Sequence, residues 1–218
     1  MRLLELFCGG KSVSKVAKEF GYECVSVDIL EKLNPDVCCD IRQLDYWSLG
    51  EFDVVWASPP CTEFSFAKTV GERKLDEAME LVRKAAEIIA YINPKYYVIE
   101  NPVGLLRQFL PANDRVTVSY CRYGYAYRKN TDLWTDVPFE PRRCVADTLC
   151  DFKREFGIHG QYCQKGRKTI HLQEGGKKII PCTGSILDRY SLPSELLRDI
   201  FRAITVSLRI RIKIKKLK

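Results

Sequence analysis

The sequence has no long hydrophobic run. No segment approaches the roughly 20 consecutive apolar residues that a membrane-spanning helix needs, and the charged side chains of Arg2 and Glu5 come too early for the apolar core of a secretory signal. These absences exclude the usual patterns of membrane-spanning and secreted proteins. We therefore expect a soluble, intracellular protein with no targeting signal and no membrane partner.

The chain has little length to spare for a second domain. Its 218 residues, of which 46% are hydrophobic, are sufficient for one large α/β domain with a substantial core, so we predict a single domain that spans residues 1–218. The ten cysteines are scattered through apolar segments of a chain far longer than a disulfide-stapled miniprotein. We expect their thiols to be reduced.

Acidic residues are absent from the last ten positions of the sequence. Residues 209–218 carry six of the seven net positive charges, which leaves only +1 for residues 1–208. Apolar and basic residues alternate in this tail, a pattern that favours an edge strand in contact with a polyanion. A solubilising strand or a frayed end is the alternative interpretation.

Strand-like and helix-like segments alternate along the first hundred residues. This alternation is typical of a parallel, doubly wound sheet. Two later strand-like segments, joined through Gly124, favour an antiparallel hairpin. Strands are predicted at 3–7, 23–29, 35–39, 53–57, 95–99, 116–123 and 131–134, and helices at 13–20, 74–92 and 187–204. The predicted fold class is thus α/β, with a mostly parallel seven-stranded sheet that ends in an antiparallel hairpin.

The ends of the first three predicted strands carry residues suited to a nucleoside. The turn at Gly9 and Gly10 lets the backbone approach a ligand, and Asp28 can accept both ribose hydroxyls. Asp40 ends the third strand, where an adenine amino group can be bound. The third glycine of the dinucleotide fingerprint is missing, because Lys11 and Ser12 follow Gly10. A plain tight turn with ordinary loop acids is the alternative interpretation.

Two further strand ends carry reactive side chains. Ser58-Pro59-Pro60-Cys61 follows the fourth strand and Glu100-Asn101-Pro102 follows the fifth. Ligands bind in open α/β sheets at the carboxyl ends of the strands, and an accessible thiol there can act as a nucleophile beside a carboxylate. A small buried cysteine and a polar turn are the alternatives.

In this order, the motifs resemble those of the S-adenosylmethionine-dependent cytosine-C5 DNA methyltransferases, and most closely the short forms found in phages and large viruses. The resemblance covers about half the chain and implies a Rossmann-like class I methyltransferase domain. The matching motifs are Glu5-Leu6-Phe7-Cys8-Gly9, Asp28, Asp40-Ile41, Pro60-Cys61 and Glu100-Asn101. The residues thereby implied to bind the cofactor S-adenosylmethionine are Phe7, Cys8, Gly9, Ser12, Asp28, Ile29, Asp40, Ile41 and Pro60.

The resemblance also implies a mechanism. In this family a cysteine thiolate adds to C6 of cytosine, which makes C5 nucleophilic enough to accept a methyl group. Cys61 matches that cysteine, and Glu100 matches the residue that holds N3 and the exocyclic amine of the ring. The target cytosine has to be flipped out of double-stranded DNA to reach Cys61. We expect a monomer that acts wherever the genomic DNA lies.

Two family motifs match this chain imperfectly. In the basic motif, Tyr127, Lys129 and Thr131 replace the usual Gln, Arg and Arg, so Arg128 or Lys129 is expected to take over the contacts with the base and the DNA. The alternative for this segment is a solvated hairpin turn. The last motif, at 189–193, has no Gly-Asn pair, and leaves Tyr190 or Ser191 as candidates for a cofactor contact.

The space for a target-recognition domain is also missing, because only about fifty residues separate Trp134 from Leu187. We predict a small irregular insertion at 138–181, in which Lys165-Gly166-Arg167-Lys168 is suited to contact phosphates. Its potential metal ligands match no standard zinc-finger spacing, and cysteine is frequent elsewhere in the chain, so we predict no metal site. The candidates for a structural zinc ion, as the alternative, are Cys144, Cys150, His159 and Cys163, with His171 and Cys182 nearby.

Three other functions remain open at this point. An adenine-N6 or cytosine-N4 amino-methyltransferase also uses a Pro-Pro motif, but an aromatic residue normally stands where this chain has Cys61. A tRNA cytosine-C5 methyltransferase has the same motifs as a DNA enzyme, so RNA is not excluded as a substrate. A catalytically inactive descendant would bind nucleic acid without modifying it.

Overall fold

The structure, a computed structural model, describes residues 1–125, 127–156, 159, 169–173, 176–180 and 191–215. The strands are β1 Arg2–Leu6, β2 Glu23–Asp28, β3 Val37–Cys38, β4 Val54–Ala57, β5 Tyr96–Pro102, β6 Arg115–Ser119, β7 Asn130–Thr135, β8 Thr169–Gln173 and β9 Gly176–Ile180. The helices are α1 Ser12–Glu19, α2 Leu75–Ile92, α3 Asp151–Phe156 and α4 Ser194–Lys215.

Seven strands form one sheet in the order β3-β2-β1-β4-β5-β7-β6. The first five strands in this order are parallel, whereas β7 runs antiparallel to both β5 and β6. The predicted fold class is confirmed, including the antiparallel hairpin of β6 and β7. The carboxyl ends of β1, β2, β4 and β5 meet at one edge of the sheet, where ligands of open α/β sheets bind.

Two apolar cores cover the two faces of this sheet. On one face, α1 and α4 pack together and against the sheet, and the ring of Phe201 lies 5.2 Å from that of Tyr22. On the other face, Met79, Val82 and Ile88 of α2 are buried against β1, β4 and β5. The central strands therefore read as continuous apolar runs, since both of their faces are covered.

The C-terminal tail differs from its prediction. The helix α4 continues to Lys215, so the proposed edge strand from Arg209 onward is wrong, and residues 216–218 lie outside the described residues. Extending an existing helix orders few new dihedral angles per hydrogen bond, whereas a new edge strand requires a partner. The alternation of apolar and basic residues is therefore accommodated in the helix.

The segment predicted to be irregular contains regular structure. The helix α3 and the antiparallel hairpin of β8 and β9 both lie within 138–181. Cys163, Cys182 and the basic run 165–168 lie outside the described residues, as does Tyr190, while only the backbone of His171 is described. None of the helices in the described part of the chain combines the length and apolar character needed to cross a lipid bilayer.

Candidate active site

A cavity of about 530 Å³ opens at the carboxyl edge of the sheet. Its walls bring together the strand-end residues that the sequence marks for nucleoside binding and for chemistry. The residues predicted to bind the cofactor all line it: Phe7, Cys8, Gly9, Ser12, Asp28, Ile29, Asp40, Ile41 and Pro60. Cys61, Glu100 and Lys129 line the same cavity.

The turn after β1 is held in an unusual backbone conformation. Phe7, Gly9 and Lys11 all have positive φ angles, of 58°, 49° and 55°. Such angles cost little for glycine but are strained for the other two residues. The turn is fixed by its amides, since the Cys8 N–H donates to the Val27 carbonyl over 3.0 Å and the Gly9 N–H donates to the Asp28 carboxylate over 2.9 Å.

Glu5 fixes the other end of this turn, a role that the sequence analysis missed. Its side chain is 2% exposed and accepts hydrogen bonds from the backbone N–H groups of Val13 and Ser14, at 3.3 and 2.9 Å. A carboxylate at the N-terminus of α1 satisfies amides that have no partner within the helix. Burial raises the pKa of the Glu5 carboxyl to about 7, although its hydrogen bonds to Ser14 and Val13 oppose that rise.

Asp28 and Asp40 have different surroundings at the cavity rim. Asp28 accepts backbone N–H groups from Gly9 and from Leu30, the latter over 3.0 Å. Asp40 is engaged by Arg42, whose Nε donates to Oδ1 over 3.0 Å, and these contacts lower the pKa of the Asp40 carboxyl. Because a carboxylate offers about four lone-pair sites, Asp28 retains acceptor capacity toward the cavity, whereas Arg42 contacts both oxygens of Asp40.

The loop after β4 carries Cys61 and is fixed by β5 and the segment after it. Within β5, which runs on through Asn101 rather than ending before Glu100, the fully buried amide of Asn101 donates to the Pro59 carbonyl over 2.9 Å. The Leu105 N–H donates to the Phe64 carbonyl over 2.8 Å. A Cβ atom on Gly104 would lie 2.3 Å from that carbonyl oxygen. Only glycine permits this close approach.

Glu100 meets Tyr120 inside the cavity wall. Glu100 is 6% exposed, and its Oε1 accepts a hydrogen bond from the hydroxyl of the fully buried Tyr120 over 3.2 Å. The ammonium group of Lys129 lies 4.8 Å from the centre of the Tyr120 ring. Tyr120 was not among the predicted residues, because only the antiparallel pairing of β5, β7 and β6 brings it to Glu100.

The two basic candidates are separated by the structure. Lys129 lines the cavity, whereas Arg128 is exposed and its Nε lies 3.4 Å from Oδ1 of Asn130. The last motif also reaches the site, since the Leu192 N–H donates to the Ser12 hydroxyl over 3.3 Å. Ser191 lies close to Gly10, because a Cβ atom added to Gly10 would be 4.0 Å from the hydroxyl oxygen of Ser191.

A second cavity, of about 700 Å³, lies away from this site. It is bounded by the segment 138–148 and the helix α4, and it contains none of the predicted catalytic or cofactor residues. Its arginines are largely engaged by the protein itself. Arg142, for example, forms an ion pair with Asp199 and stacks over Tyr123 at 4.8 Å.

Three of the four candidates for the alternative zinc site converge, and the residue that joins them was not a candidate. Cys144, Cys150 and His159 lie together with Cys121, and their ligand atoms are all within 4.8 Å of one another. Cys121 precedes the other three by more than twenty positions and follows β6, so local spacing in the sequence does not reveal it.

Comparisons with known proteins identify the family and several relatives of the chain. The family model described as C-5 cytosine-specific DNA methylase matches residues 1–119. The chain is 38% identical over 219 residues to the "Probable DNA (cytosine-5)-methyltransferase" of Frog virus 3 (isolate Goorha), with 92% of this chain and 98% of the viral protein covered.

More distant relatives are considerably longer. The chain is 26% identical over 228 residues to the Type II methyltransferase M.XorII of Xanthomonas oryzae pv. oryzae, of which it spans half the length. A candidate DNA modification methyltransferase encoded within an E. coli prophage has a similar fold, with a TM-score of 0.50 at 17% identity. That match covers 62% of this chain and 46% of the prophage protein, and at this identity it supports the fold alone.

Proposed function

The chain belongs to the C-5 cytosine-specific DNA methylase family, and we propose that Cys61 is the nucleophile and Glu100 the base-binding carboxylate with which it methylates cytosine in DNA. One observation carries the proposal: both side chains line the cavity that is also lined by the nine residues that the family motifs assign to the cofactor. A thiol, a carboxylate and a methyl-donor pocket within one cavity are what methyl transfer to C5 requires.

The cavity fits S-adenosylmethionine, the methyl donor of the family. Ile29 is 61% exposed beside Asp28, and an exposed apolar side chain next to an acceptor suits an adenosine that covers it. Asp28 would accept from the ribose hydroxyls, Asp40 from the adenine amino group, and the turn at Phe7 and Gly9 would border the rest. When bound, the cofactor supplies an activated methyl group on its sulfonium sulfur.

Two other cysteines, Cys8 and Cys39, line the same cavity as Cys61, but their surroundings disfavour the thiolate. Burial, with the charges of Glu5 and Asp28, raises the pKa of Cys8 to about 12. Burial and the charge of Asp40 also raise the pKa of Cys39. Both shifts disfavour the thiolate, which is the nucleophilic form of a cysteine. Cys61 lies in the loop after β4 and lines the same cavity as Glu100.

Cys61, Glu100 and Asn101 have different roles in the proposed reaction. Addition of the Cys61 thiolate to C6 turns the ring into an enamine that is nucleophilic at C5. Glu100, held by the Tyr120 hydroxyl, would accept a hydrogen bond from the exocyclic amine. Addition of the thiolate develops negative charge on the ring, and a proton shared between Glu100 and N3 would lower that charge. Asn101 keeps the Cys61 loop in place through the Pro59 carbonyl.

The substrate base has to leave the double helix. Cys61 and Glu100 line the wall of a cavity, and a stacked base cannot enter one. We propose that the cytosine is flipped, at a cost of a few kcal/mol that contacts in the cavity recover. We further propose that the chain acts as a monomer with a single domain, since one seven-stranded sheet and the loops at its edge carry the residues assigned to the site.

A covalent trap tests the proposed nucleophile. Fluorine at C5 of cytosine blocks the proton loss that releases the enzyme, so 5-fluorocytosine DNA should form an adduct of the full chain that requires S-adenosylmethionine. Cys61→Ser should abolish the adduct, whereas Cys38→Ser, a change in an exposed thiol outside the cavity, should retain it. An adduct that persists in Cys61→Ser would rule out the assignment.

The products distinguish the remaining functions. Mass spectrometry of nucleosides from DNA and from tRNA, each incubated with the chain and cofactor, should find 5-methylcytosine in DNA. N6-methyladenine or N4-methylcytosine would contradict the covalent mechanism, and 5-methylcytosine confined to tRNA would move the activity to RNA. Cofactor and DNA binding with no methylated product at all would indicate an inactive descendant.

A further inference from the structure

A compact group of three thiols and one imidazole lies outside the active site. Cys121 belongs to the 3₁₀ turn Tyr120–Arg122 after β6, Cys150 immediately precedes α3, and Cys144 and His159 lie on either side of it. The three cysteines are 7, 2 and 1% exposed for Cys121, Cys144 and Cys150. The four ligand atoms lie within 4.8 Å of one another, and Sγ of Cys144 is 3.2 Å from Nε2 of His159.

These separations are close to those of a metal tetrahedron. Zinc binds cysteine sulfur at about 2.3 Å and histidine nitrogen at about 2.0 to 2.1 Å, so the edges of an ideal tetrahedron measure about 3.6 to 3.8 Å. The longest separation within the group exceeds that by only about 1 Å. Small rotations of side chains are enough to close the group around an ion.

The donor set matches zinc rather than a hard cation. Three sulfur atoms and one imidazole favour a soft or borderline ion in a tetrahedral site, and four protein ligands leave no open position. Backbone N–H groups already point at the sulfurs, since the Cys150 amide donates to Sγ of Cys144 and the Lys153 amide donates to Sγ of Cys150, both over 3.4 Å. Such outer contacts stabilise thiolate ligands.

The group is also the centre of a region that has almost no other core. Its three cysteines form an apolar cluster of their own, with only Leu149 packed against them among the described residues. Polar contacts do the rest, as when the Cys144 N–H donates to the Ser119 hydroxyl over 3.0 Å and Arg122 donates to the Leu149 carbonyl over 2.9 Å. A region with so little apolar core requires a cross-link, such as a bound metal ion, to remain folded.

We propose that Cys121, Cys144, Cys150 and His159 bind one structural zinc ion that fastens residues 142–156 and His159 to the turn after β6. The ion is bound far along the chain from the methyl-donor turn, and the proposal does not depend on the assignment of Cys61 or Glu100. It does have a consequence for the active site. Cys121 directly follows Tyr120, the residue whose hydroxyl donates to Glu100, so the zinc ion would hold Tyr120 in position.

The metal content of the purified full chain tests the proposal. Protein prepared with a phosphine reductant and without a histidine tag should contain about one zinc ion per chain, as measured by inductively coupled plasma mass spectrometry. Cys144→Ser and His159→Ala should each lose most of that zinc, whereas the exposed Cys38→Ser and the nucleophile variant Cys61→Ser should keep it. Zinc in Cys61→Ser without activity separates this inference from the proposed reaction.

The choice between two cysteines tests the ligand set itself. Cys121→Ser should lose zinc and Cys163→Ser, at a cysteine outside the described residues, should retain it; the reverse result would overturn the assigned ligands. If a ligand variant proves insoluble, cobalt incorporated into the wild-type chain during growth should give the charge-transfer bands of thiolate-bound Co²⁺ in a tetrahedral site. Absence of both metals from soluble wild-type protein, or a disulfide between two of these cysteines under the same reductant, would overturn the proposal.

Discussion

The two halves of this molecule build their parts of the site in different ways. From β1 to β6, side chains at strand ends are placed by a sheet that is buried on both faces, and small backbone distances decide the geometry. After β6, the chain contributes individual side chains such as Lys129 and Leu192. The helix α4 packs into the same apolar core as α1, whereas the described part of the segment between β7 and α4 is held mainly by ion pairs, amide contacts and a group of thiols. The first half is positioned by packing, and that later segment mainly by polar contacts.

This difference has a consequence for how each half responds to change. A close-packed interior transmits a displacement of a few tenths of an ångström, because its atoms have nowhere to move. A segment held by polar contacts loses one contact at a time. We therefore expect steric changes in the first half to reduce activity more than removal of a charge does in the second.

Gly104→Ala should have the largest effect. Its Cβ would lie 2.3 Å from the Phe64 carbonyl oxygen, and its segment cannot retreat, because Arg107 is paired with the buried Asp132. The loop of Cys61 has to move instead. A misplacement of about 1 Å can cost about 100-fold in rate, while unfolding becomes easier by about 1 to 3 kcal/mol.

The measurement for this variant is kcat on DNA beside a titration with S-adenosylmethionine. Cofactor affinity should stay near that of the wild type, since Gly104 does not line the cavity. Val103→Ala is the matched control in the same segment, because it removes atoms and adds none. Equal losses in the two variants would show that the close approach at Phe64 is not what positions Cys61.

Glu5 should produce the next largest effect, on stability rather than on rate. Its pKa is raised to about 7 from an ordinary value of 4.5, so the folded state binds the proton more tightly than the unfolded state. The stability from this group is fully present below about pH 4.5 and is lost as pH rises through 7. The free energy of unfolding should fall by roughly 3 kcal/mol over that window.

Denaturant unfolding of wild type and Glu5→Gln at several pH values measures this effect. The difference between the two curves should change between pH 4.5 and 7 and stay constant above it, because glutamine does not titrate. Glu23→Gln, at an exposed position, is the control that should follow the wild type. A difference that does not depend on pH would contradict the role of burial at Glu5.

The smallest effect is expected from the basic pair. Lys129→Ala removes a charge from the cavity wall and should lower kcat/KM on DNA about tenfold, the value of one charge-assisted contact. Arg128→Ala, which removes an exposed charge outside the cavity, should lower it less. A larger loss at Arg128 would reverse the assignment and show that the cavity wall is not where this motif acts.

Much of the first half could be predicted from the sequence, because its signals are local. The apolar runs of β1 and β4 and the periodicity of α2 gave bounds within two residues of the observed ones. The carboxyl ends of parallel strands meet at one edge of the sheet. The placement of Asp28 and Asp40 at that edge could therefore be predicted without knowing any contact between residues. Glu5 was identified only as part of a motif. Its hydrogen bonds to the first amides of α1 could not be predicted, because they depend on the residue at which α1 begins.

The second half shows why the remainder could not be predicted. Tyr120 reaches Glu100 only because β7 lies between β5 and β6 in the sheet. The partners of Cys121 lie more than twenty positions further along the chain. The period of two in the basic tail indicated a strand, but a strand needs a neighbour and the helix α4 was already present to be extended. Pairing over long distances in the sequence leaves no local pattern.

The hydrogen bond between Leu192 and Ser12 joins residues 180 positions apart, and this separation sets an order of events during synthesis. At about 5 to 20 residues per second, a ribosome needs roughly 10 to 35 s to reach Leu192 after it has made Ser12. Until then the apolar side of α1 has no α4 to cover it. The nascent chain is thus exposed to chaperones and to aggregation for that interval, and the wall of the methyl-donor cavity is completed only after Leu192 has been made.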